Sequence, residues 1–492
     1  MTNRTQRRSA RAHTMWALGG FILFSLALAA CQGEGVLFPP AGQTPPATPG
    51  APTPSPFTPL LSPTPEPTLT PLPHLLVDPA QLNGVDVAFW HPWTGELADL
   101  VESLANEFNR SNEWNITVLV RETGSSEMLN EQVAAALDSD EHPQVVVAPV
   151  EQLQAWRERS KAVLNLNDYI SDPQWGLSAA EVADFPVVFL EQDRVDGRLL
   201  GIPARRTTQI MFYNQTWAQE LGFDEAPETL DDFRQQVCAA ASANVLDTGW
   251  ENNGTGGWIL NTSPDTLLTW MAAFGVEDLA GLGQERYRFN VPPVQDMLAY
   301  QRELFDSDCA WNSRLPDPYD YFATRQALLY TGRLEDIPLQ ARAMQRAENE
   351  DSWTVIPFPS DEQGTPVVTT GESYALLAGS PEEQLAAWLF VRWMAQAEHQ
   401  VEFVKRAGGW PVQVSATDEL AGYRRQYPQW GDTLLWIPLA QPAPQAASWR
   451  IARNVLQDAA WQVFQANATP DDISTYLQEA DRLIPEVLEE NP

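Results

Sequence analysis

A proline-rich segment near the N-terminus constrains this 492-residue chain more than any other feature. Residues 39–73 contain 14 of the chain's 40 prolines, and Glu66 is the only charged residue among them. Proline has a fixed φ and no backbone N–H, so the segment favours polyproline II and cannot build a core. At about 3.1 Å per residue it could extend roughly 100 Å. This predicts a semi-rigid spacer, and plain disorder is consistent with the same composition.

An apolar run, residues 15–30, precedes this segment and follows a basic stretch with four arginines and no acidic residue. The run is shorter than the about 20 residues that a membrane-spanning helix needs, and it is typical of a secretory signal. It ends in Leu-Ala-Ala before Cys31, which resembles a bacterial lipobox. We therefore predict cleavage before Cys31, lipidation of its thiol and an extracytoplasmic protein tethered to the membrane. The alternatives are an ordinary signal peptide with a chance cysteine and an uncleaved anchor.

About 410 residues follow the spacer, which is too many for one common core and indicates two lobes. The formal net charge is −35, and loss of the four arginines with the signal would leave −39. Such an acidic chain argues against nucleic acid as a partner, because phosphate backbones reward basic patches.

Three cysteines are present, and lipidation of Cys31 would leave Cys238 and Cys309 as a pair. In an exported protein such a pair predicts a disulfide, and two unrelated buried thiols are the alternative. Only five histidines occur, two of them at positions 13 and 74 outside the folded part. A histidine-rich metal site is therefore not expected, and we predict no metal and no cofactor.

After the spacer, the pattern alternates between strands and helices. We expect strands at 85–90, 115–121 and 144–148, and helices at 97–108, where Thr94 would be the N-cap, 128–137 and 153–159. This order is typical of a parallel α/β sheet. Ligands bind such sheets beyond the carboxyl ends of the strands. The segments that follow the three strands should therefore share one rim: residues 90–93, 123–125 and 149–151.

Several sequence blocks then carry a family resemblance. The block "VAFWHPWTGELADLVESLANEFNRSN" resembles the start of extracellular solute-binding proteins of the sugar type, the substrate receptors of ABC importers. The block "GRLLGIPARRTTQIMFYN" resembles their Gly-x-x-x-Gly-Ile-Pro hinge strand and Tyr-Asn. "YFATRQALLYTG" resembles their Phe-x-x-Gly-x-Ala segment, with Arg325 at the usual glycine position. "AAWLFVRWM" and "GGWP" resemble a later helix and turn, so that ordered blocks span roughly residues 83–420.

The resemblance implies an α/β protein with the two-lobed periplasmic-binding-protein type II fold and a ligand cleft between the lobes. We divide the chain on this basis into a signal peptide, a lipidated spacer and two lobes that each contain two segments. The ranges are 1–30 for the signal, 31–82 for the spacer, 83–203 and 372–409 for lobe 1, and 204–371 and 410–492 for lobe 2. Closure about a hinge would trap the ligand.

Candidate ligand contacts lie on the predicted rim. Sugars present apolar ring faces and a rim of hydroxyls, which aromatic rings and charged side chains respectively bind. On this ground we expect contacts from Trp90 or Trp93, from the neighbouring His91, and from Ser125 and Glu151 at the next two strand ends. Core packing is the alternative for the tryptophans, and helix capping is the alternative for Ser125 and Glu151.

Further candidates come from the crossover segments and the second lobe. Arg206 and Thr207 follow the hinge strand and would face the cleft by analogy with the family. Relatives often place a cleft residue after the strand that ends here near Arg333. The remaining candidates are Glu372 at a crossover, Trp410 behind two glycines, and Trp270 on an apolar helix where core packing is the stronger alternative.

Enzymatic motifs are weak in this chain. It contains no Gly-x-Ser-x-Gly elbow, His-Glu-x-x-His, Cys-x-x-Cys or phosphate loop. The resemblance implies a non-catalytic, monomeric protein that captures a carbohydrate-like solute and delivers it to an ABC permease. The alternatives are a lipid-anchored glycan hydrolase with paired carboxylates and a lipoprotein used for adhesion or scaffolding.

Overall fold

Two mixed β-sheets organise the folded part of the chain. The computed structural model describes residues 74–137, 142–284, 286–362 and 364–490, so the predicted signal, lipidation site and proline-rich segment lie outside the described residues. The strands are β1 Asp86–His91, β2 Thr117–Glu122, β3 Val145–Ala148, β4 Arg194–Val195, β5 Arg198–Leu199, β6 Ile202–Pro203, β7 Thr207–Asn214, β8 Trp258–Leu260, β9 Ala310–Asn312, β10 Leu329–Arg333, β11 Trp353–Ile356, β12 Val368–Thr370, β13 Ser373–Leu376 and β14 Gln441–Pro442.

The helices cover the faces of these sheets. They are α1 Glu96–Ser111, α2 Ser126–Ala136, α3 Val150–Ser160, α4 Asn167–Ser171, α5 Ala179–Ala183, α6 Val187–Glu191, α7 Gln215–Glu220, α8 Leu230–Leu246, α9 Pro264–Ala273, α10 Pro292–Asp306, α11 Tyr319–Ala323, α12 Ile337–Arg346, α13 Pro381–Met394, α14 Ala397–Ala407, α15 Ala416–Glu419, α16 Ala421–Gln426, α17 Pro428–Thr433, α18 Trp449–Val463 and α19 Ile473–Glu490. None of the described helices is long and apolar enough to cross a lipid bilayer.

The first sheet has the order β2-β1-β3-β13-β6. Strand β1 pairs in parallel with β2 and β3, as the strand–helix–strand pattern predicts, and β13 is antiparallel to β3 and β6. Alternate side chains of β3 face opposite sides: Val145 and Val147 join one hydrophobic cluster, and Val146 and Ala148 join another. Both faces are therefore buried, which explains the continuous apolar run of this strand.

The second sheet has the order β14-β12-β7-β10-β8-β9, and β11 also pairs with β7. All eight residues of β7 are buried, because this strand has neighbours on both edges: β10 on one side and β11 and β12 on the other. Helices α18 and α19 pack against each other, and their apolar faces join the hydrophobic cluster of this sheet.

A disulfide joins two segments in the part of the protein that contains the second sheet. Cys238 on α8 and Cys309 just before β9 are bonded, with their Cα atoms 4.5 Å apart and 71 positions between them in sequence. Cys309 is buried, so the bond fixes α8 against the edge of the sheet.

The chain begins to pack earlier than the sequence-based division assumed. Residues 74–82 were counted with the spacer, but the backbone N–H groups of His74 and Leu75 donate to the Asp172 carboxylate at 2.7 and 2.9 Å. Leu82 at the end of a short 3-10 helix is fully buried. These nine residues therefore belong to the folded part.

Candidate ligand-binding site

Three crossover segments lie side by side between the two sheets. The chain leaves the first sheet after β6 and enters the second at β7, and it returns between β12 and β13. The N–H groups of Ala204 and Arg205 both donate to the carbonyl of Glu372, at 3.0 and 3.1 Å. In the third segment, the N–H of Trp410 donates to the carbonyl of Arg206 at 2.8 Å.

Gly371 allows two of these crossovers to approach closely. Its φ is 144°, and a Cβ atom at this position would lie 2.1 Å from the carbonyl oxygen of Arg205. Such a separation is far inside van der Waals contact. A residue with a side chain would therefore force the crossovers apart.

Arg206 ties the crossovers together. Its guanidinium is fully buried and donates to the carboxylate of Asp193 at 2.5 Å and to the hydroxyl of Ser373 at 3.0 Å. It also donates to the carbonyls of Phe189 and Glu372, both at 3.0 Å. The sequence predicts ligand contact for Arg206, and the residue does border the cavity described next. Its side chain is engaged in the protein interior, and we assign it a structural role.

A cavity of about 230 Å³ opens beside the crossovers, between the two sheets. Its walls combine the ends of helices α2 and α3, the crossovers, the end of β10 and helix α18. Five of the predicted contacts border it: Glu151, Arg206, Thr207, Arg333 and Glu372. The other lining residues are Ser126, Glu127, Pro149, Gln192, Arg205, Asp265, Glu335, Thr370, Gly371, Ala443, Trp449 and Arg453.

A network of charged hydrogen bonds lines one wall of the cavity. Arg205 donates to Glu335 at 3.0 Å and lies 3.8 Å from the carboxylate of Glu372. The hydroxyl of Thr207 donates to the second oxygen of Glu335 at 2.6 Å. These side chains are largely shielded from solvent, and charge-assisted bonds of this kind hold their partners in fixed orientations. The wall is therefore pre-organised before a ligand enters.

Asp265 supplies an acceptor that the protein leaves open. It lies in the first turn of α9, and its carboxylate has no hydrogen-bond partner among the described residues. Burial raises its pKa, and the charges of Arg453 and Arg333 partly oppose that shift. A half-buried carboxylate that borders a cavity with free acceptor positions is suited to receive hydrogen bonds from a ligand.

Glu151 and Arg453 connect opposite sides of the cavity. Glu151 lies in the first turn of α3, and Arg453 lies on α18, with 3.2 Å between their charged atoms. Burial raises the pKa of Glu151, and Arg453 counteracts this rise. The next residue on α3, Gln152, accepts a long hydrogen bond of 3.5 Å from Arg450 on the same helix α18.

The predicted aromatic contacts lie elsewhere. Trp93, Trp270 and Trp410 are buried in the core, and none of them is among the residues that border this cavity. The ring of Trp270 packs among other aromatic rings, 5.1 Å from Phe358. That of Trp410 stacks on Phe189. We therefore assign all three to packing, which was the alternative interpretation for Trp93 and Trp270 and was not expected for Trp410.

His91, Trp90 and Ser125 also stay outside the cavity lining. Strand β1 alternates, so His91 faces the core between the rings of Phe89 and Trp93, at 5.5 and 5.6 Å. Trp90 faces the opposite side, half-buried under Arg121. Ser125 caps α2 by accepting from the Met128 N–H at 3.1 Å, which was its alternative role. The next two residues of that helix border the cavity in its place.

Comparison with known proteins now identifies the family. Residues 103–426 match the sequence profile of the bacterial extracellular solute-binding proteins. This chain belongs to that family. Its relatives include the sn-glycerol-3-phosphate-binding periplasmic protein UgpB of Salmonella typhimurium, which is 23% identical over 342 residues that cover 67% of this chain and 75% of the relative. The UgpB protein of Escherichia coli strain K12 is 22% identical over 344 residues, with 68% and 75% covered.

Solved structures of other binding proteins share the fold. The sugar-binding protein MalE from Xanthomonas citri superimposes with a TM-score of 0.68 at 16% identity, covering 83% of this chain and 100% of MalE. UgpB from Mycobacterium tuberculosis, in complex with glycerophosphocholine, gives a TM-score of 0.66 at 16% identity, with 82% and 100% covered. The predicted family and the two-lobed α/β type II fold are confirmed, and the protein is a solute-binding protein.

The lining residues that the sequence analysis did not predict as contacts include Arg205, Asp265, Glu335 and Arg453. Arg205 and Glu335 adjoin predicted residues in the same segments, Arg206 and Arg333, so a wider window there would have included them. Arg453 reaches Glu151 from 302 positions away, and Asp265 begins an apolar helix for which the sequence analysis considered only Trp270. No local pattern distinguishes these last two.

Proposed function

We propose that this solute-binding protein is the monomeric substrate receptor of an ABC importer and captures a neutral, hydroxyl-rich solute of carbohydrate type. We further propose the lobe division given above, 83–203 with 372–409 and 204–371 with 410–492. In this division the cavity lies between the lobes, and contacts from both would favour the closed form when a ligand binds.

The charge balance of the cavity is the observation that carries the solute class. Five carboxylates and four arginines border it, and the guanidinium of one of these arginines, Arg206, is buried against Asp193. Hydroxyl groups can both donate to carboxylates and accept from guanidinium groups. A neutral polyol can therefore satisfy both kinds of group without adding charge to the cavity.

An anionic solute such as a glycerol phosphate fits this balance less well. Arg205 is already paired with Glu335 and Glu372, and Arg453 is paired with Glu151. At Arg205 and Arg453 a phosphate would have to compete with these carboxylates, whereas Arg333 has no ion-pair partner among the described residues. A phosphate would also add negative charge to a cavity that Asp265 borders. Placing like charges side by side in a binding site disfavours binding by several kcal/mol. The cavity therefore favours the sugars named for several structural relatives over the phosphate ligand named for the sequence relatives.

Polar contacts rather than aromatic stacking would orient the solute. Trp449 is the one aromatic residue among those that border the cavity, and its side chain is only 2% exposed. Little ring surface is therefore available for an apolar sugar face. This differs from the expectation of tryptophan platforms at the strand ends, and it favours a solute with hydroxyls on both faces.

A thermal-shift screen with neutral sugars, polyols and glycerol 3-phosphate, followed by calorimetry on each hit, tests the proposed solute class. A bound solute at 100 times its Kd stabilises a protein by about 2.7 kcal/mol, so a sugar or polyol should raise the melting temperature clearly. Stabilisation by glycerol 3-phosphate alone would overturn the proposed class. Release of cleaved products from a bound glycan would favour the hydrolase alternative instead.

We propose that a lipid on Cys31 tethers the protein to the membrane, on the basis of the lipobox-like sequence before this residue. Intact-mass measurement of the membrane fraction should show an acyl mass on the wild-type protein. Cys31→Ser should abolish that mass and release the protein from the membrane. An unchanged mass in the variant would overturn the lipoprotein assignment without affecting the solute-binding proposal.

A further inference from the structure

Two groups of hydrogen bonds join the proposed lobes directly, with protein atoms on both sides. The first group lies just after β14. The side chain of Gln192 accepts a hydrogen bond from the backbone N–H of Ala443 at 2.8 Å, and Gln445 donates to the carbonyls of Glu191 and Gln192 at 2.6 and 3.0 Å. Glu191 and Gln192 belong to the proposed lobe 1, and their two partners belong to lobe 2. These bonds therefore hold the lobes together without a contribution from a solute.

The second group joins α3 of lobe 1 to α18 of lobe 2. Arg453 on α18 donates to the carboxylate of Glu151 on α3, with 3.2 Å between the charged atoms. One turn earlier on α18, Arg450 donates a long hydrogen bond of 3.5 Å to Gln152. Glu151 and Arg453 also border the cavity. This ion pair therefore connects the two lobes beside the space that a solute would occupy.

The burial of Glu151 makes this ion pair important for the position of the lobes. Its side chain is 8% exposed, whereas that of Arg453 is 38% exposed. Burial raises the pKa of Glu151, and the charge of Arg453 opposes this rise. A buried carboxylate without a partner is costly, because it has lost its water and gained nothing in return. Separation of the lobes would return Glu151 to water, so the loss of Arg453 should favour an open form.

We propose that Glu151 and Arg453 form a latch that keeps the lobes closed in the absence of solute. The open form is then the minor one, and a solute enters only after the latch has opened. This inference goes beyond the proposed function, because a part of the closure does not depend on the solute. It rests on the proposed lobe division and on no particular solute class.

The test measures the separation of the lobes in solute-free protein by double electron–electron resonance. Spin labels are attached to Ser160→Cys on α3 and Asp458→Cys on α18, because both positions are exposed. The Cys31→Ser background leaves these two as the free thiols, since Cys238 and Cys309 are bonded to each other. With the latch intact, one short separation should account for at least about 90% of the molecules.

Arg453→Met should open the lobes, so that a longer separation becomes the larger fraction. Glu151→Leu combined with Arg453→Met should restore the short separation, because neither charge is then left unpaired. Arg482→Met is the matched control: Arg482 forms its ion pairs within α19, with Glu479 and Glu486, and its loss should leave the lobes closed. The melting temperature of each variant checks that it is folded.

A longer separation as the main form of the protein with an intact latch overturns the inference, and this measurement needs no latch variant. An unchanged distribution in Arg453→Met overturns it as well, and so does opening in Arg482→Met. A double variant that stays open would show that Arg453 acts through a group other than Glu151, which also overturns the latch. None of these results bears on the solute class, which the thermal-shift screen tests separately.

Discussion

The guanidinium of Arg206 and the carboxylate of Asp193 lie 2.5 Å apart, and neither side chain is exposed to solvent. Removal of one partner from such a pair leaves an uncompensated buried charge, which costs about 3–5 kcal/mol. We predict that Arg206→Ala lowers the free energy of unfolding in urea by this amount. The double variant Arg206→Met with Asp193→Leu should recover most of the loss, since both charges are then absent.

Arg342→Ala is the control for Arg206→Ala, because Arg342 is exposed on α12. Its effect on stability should stay within about 0.5 kcal/mol. A loss below about 1 kcal/mol for Arg206→Ala would show that the buried pair is not important for folding.

Asp265→Asn should separate ligand binding from stability. The carboxylate borders the cavity and has no hydrogen-bond partner among the described residues, so its replacement by an amide removes the negative charge and one of the two acceptor oxygens available to the proposed solute. Charged hydrogen bonds contribute about 1.5–3 kcal/mol, and affinity for the solute found in the screen should fall by about 10- to 100-fold. Calorimetry measures the change.

Stability should move in the opposite direction in Asp265→Asn. Because burial raises the pKa of Asp265 in the folded protein, ionisation of this carboxyl is disfavoured there and destabilises the fold as pH rises through the raised pKa. At neutral pH the variant should therefore unfold at an equal or higher urea concentration than the wild type. Asp458→Asn, at an exposed position of α18, should change neither quantity.

The buried His91 should make the stability of the folded protein sensitive to acid. Burial lowers its pKa to about 4, and neither ring nitrogen has a hydrogen-bond partner among the described residues. The imidazole of His91 therefore binds a proton more weakly in the folded protein than in the unfolded chain, where its pKa is near 6.5. The free energy of unfolding is therefore highest above pH 6.5. It should decrease as the pH is lowered, by about 2–3 kcal/mol between pH 7 and pH 4.5.

His91→Phe should flatten this part of the pH profile, because phenylalanine fits among the neighbouring rings and cannot take up a proton. His142→Gln, at a half-buried loop position, should keep the wild-type profile. Urea denaturation at pH 7, 6, 5 and 4.5 gives the comparison. Parallel profiles for the wild type and His91→Phe would contradict the assignment.

The disulfide between Cys238 and Cys309 closes a loop across 71 positions. In the chain-entropy description a loop of this size stabilises the fold by about 4 kcal/mol. Replacement of both cysteines by alanine should lower the free energy of unfolding by about that amount, and wild-type protein unfolded with dithiothreitol should behave alike. Two titratable thiols in unfolded, unreduced protein would show that the bond does not form.

The sequence predicted strands and helices best where the apolar pattern of a single element is enough to show which of its faces is buried. Strands β1 and β3 were located to within one residue, because their apolar runs are bounded by polar or proline-containing segments. Helix α1 follows the predicted periodicity, but it begins at Glu96 with Gly95 at the N-cap rather than Thr94. A glycine at φ 60° makes the turn there, and nothing in the apolar pattern identifies it.

The direction of a side chain was the main source of error in the site. Trp93 and Trp410 follow strand ends or glycines, as the cleft residues of a sugar receptor could. Whether such a ring faces solvent depends on Tyr374 and Phe403 in one case and Phe189 in the other, which come from distant parts of the chain. The charged candidates Glu151, Arg206, Arg333 and Glu372 all border the cavity.

Arg325 shows how a departure from a family pattern can be accommodated. It occupies the glycine position of the family segment that this block resembles, and its φ of 57° is left-handed, as a glycine there would permit. Its guanidinium pairs with Glu220 and with Asp351, both at 2.6 Å. These two ion pairs come from separate segments and offset the backbone strain of the arginine.

Arg205 and Glu372 lie on the crossovers that Arg206 ties together, and both border the cavity. A rotation of the proposed lobes about these crossovers would displace each part of the cavity in proportion to its distance from them. The wall that Arg205 and Glu372 form would therefore move least when the lobes close on a solute.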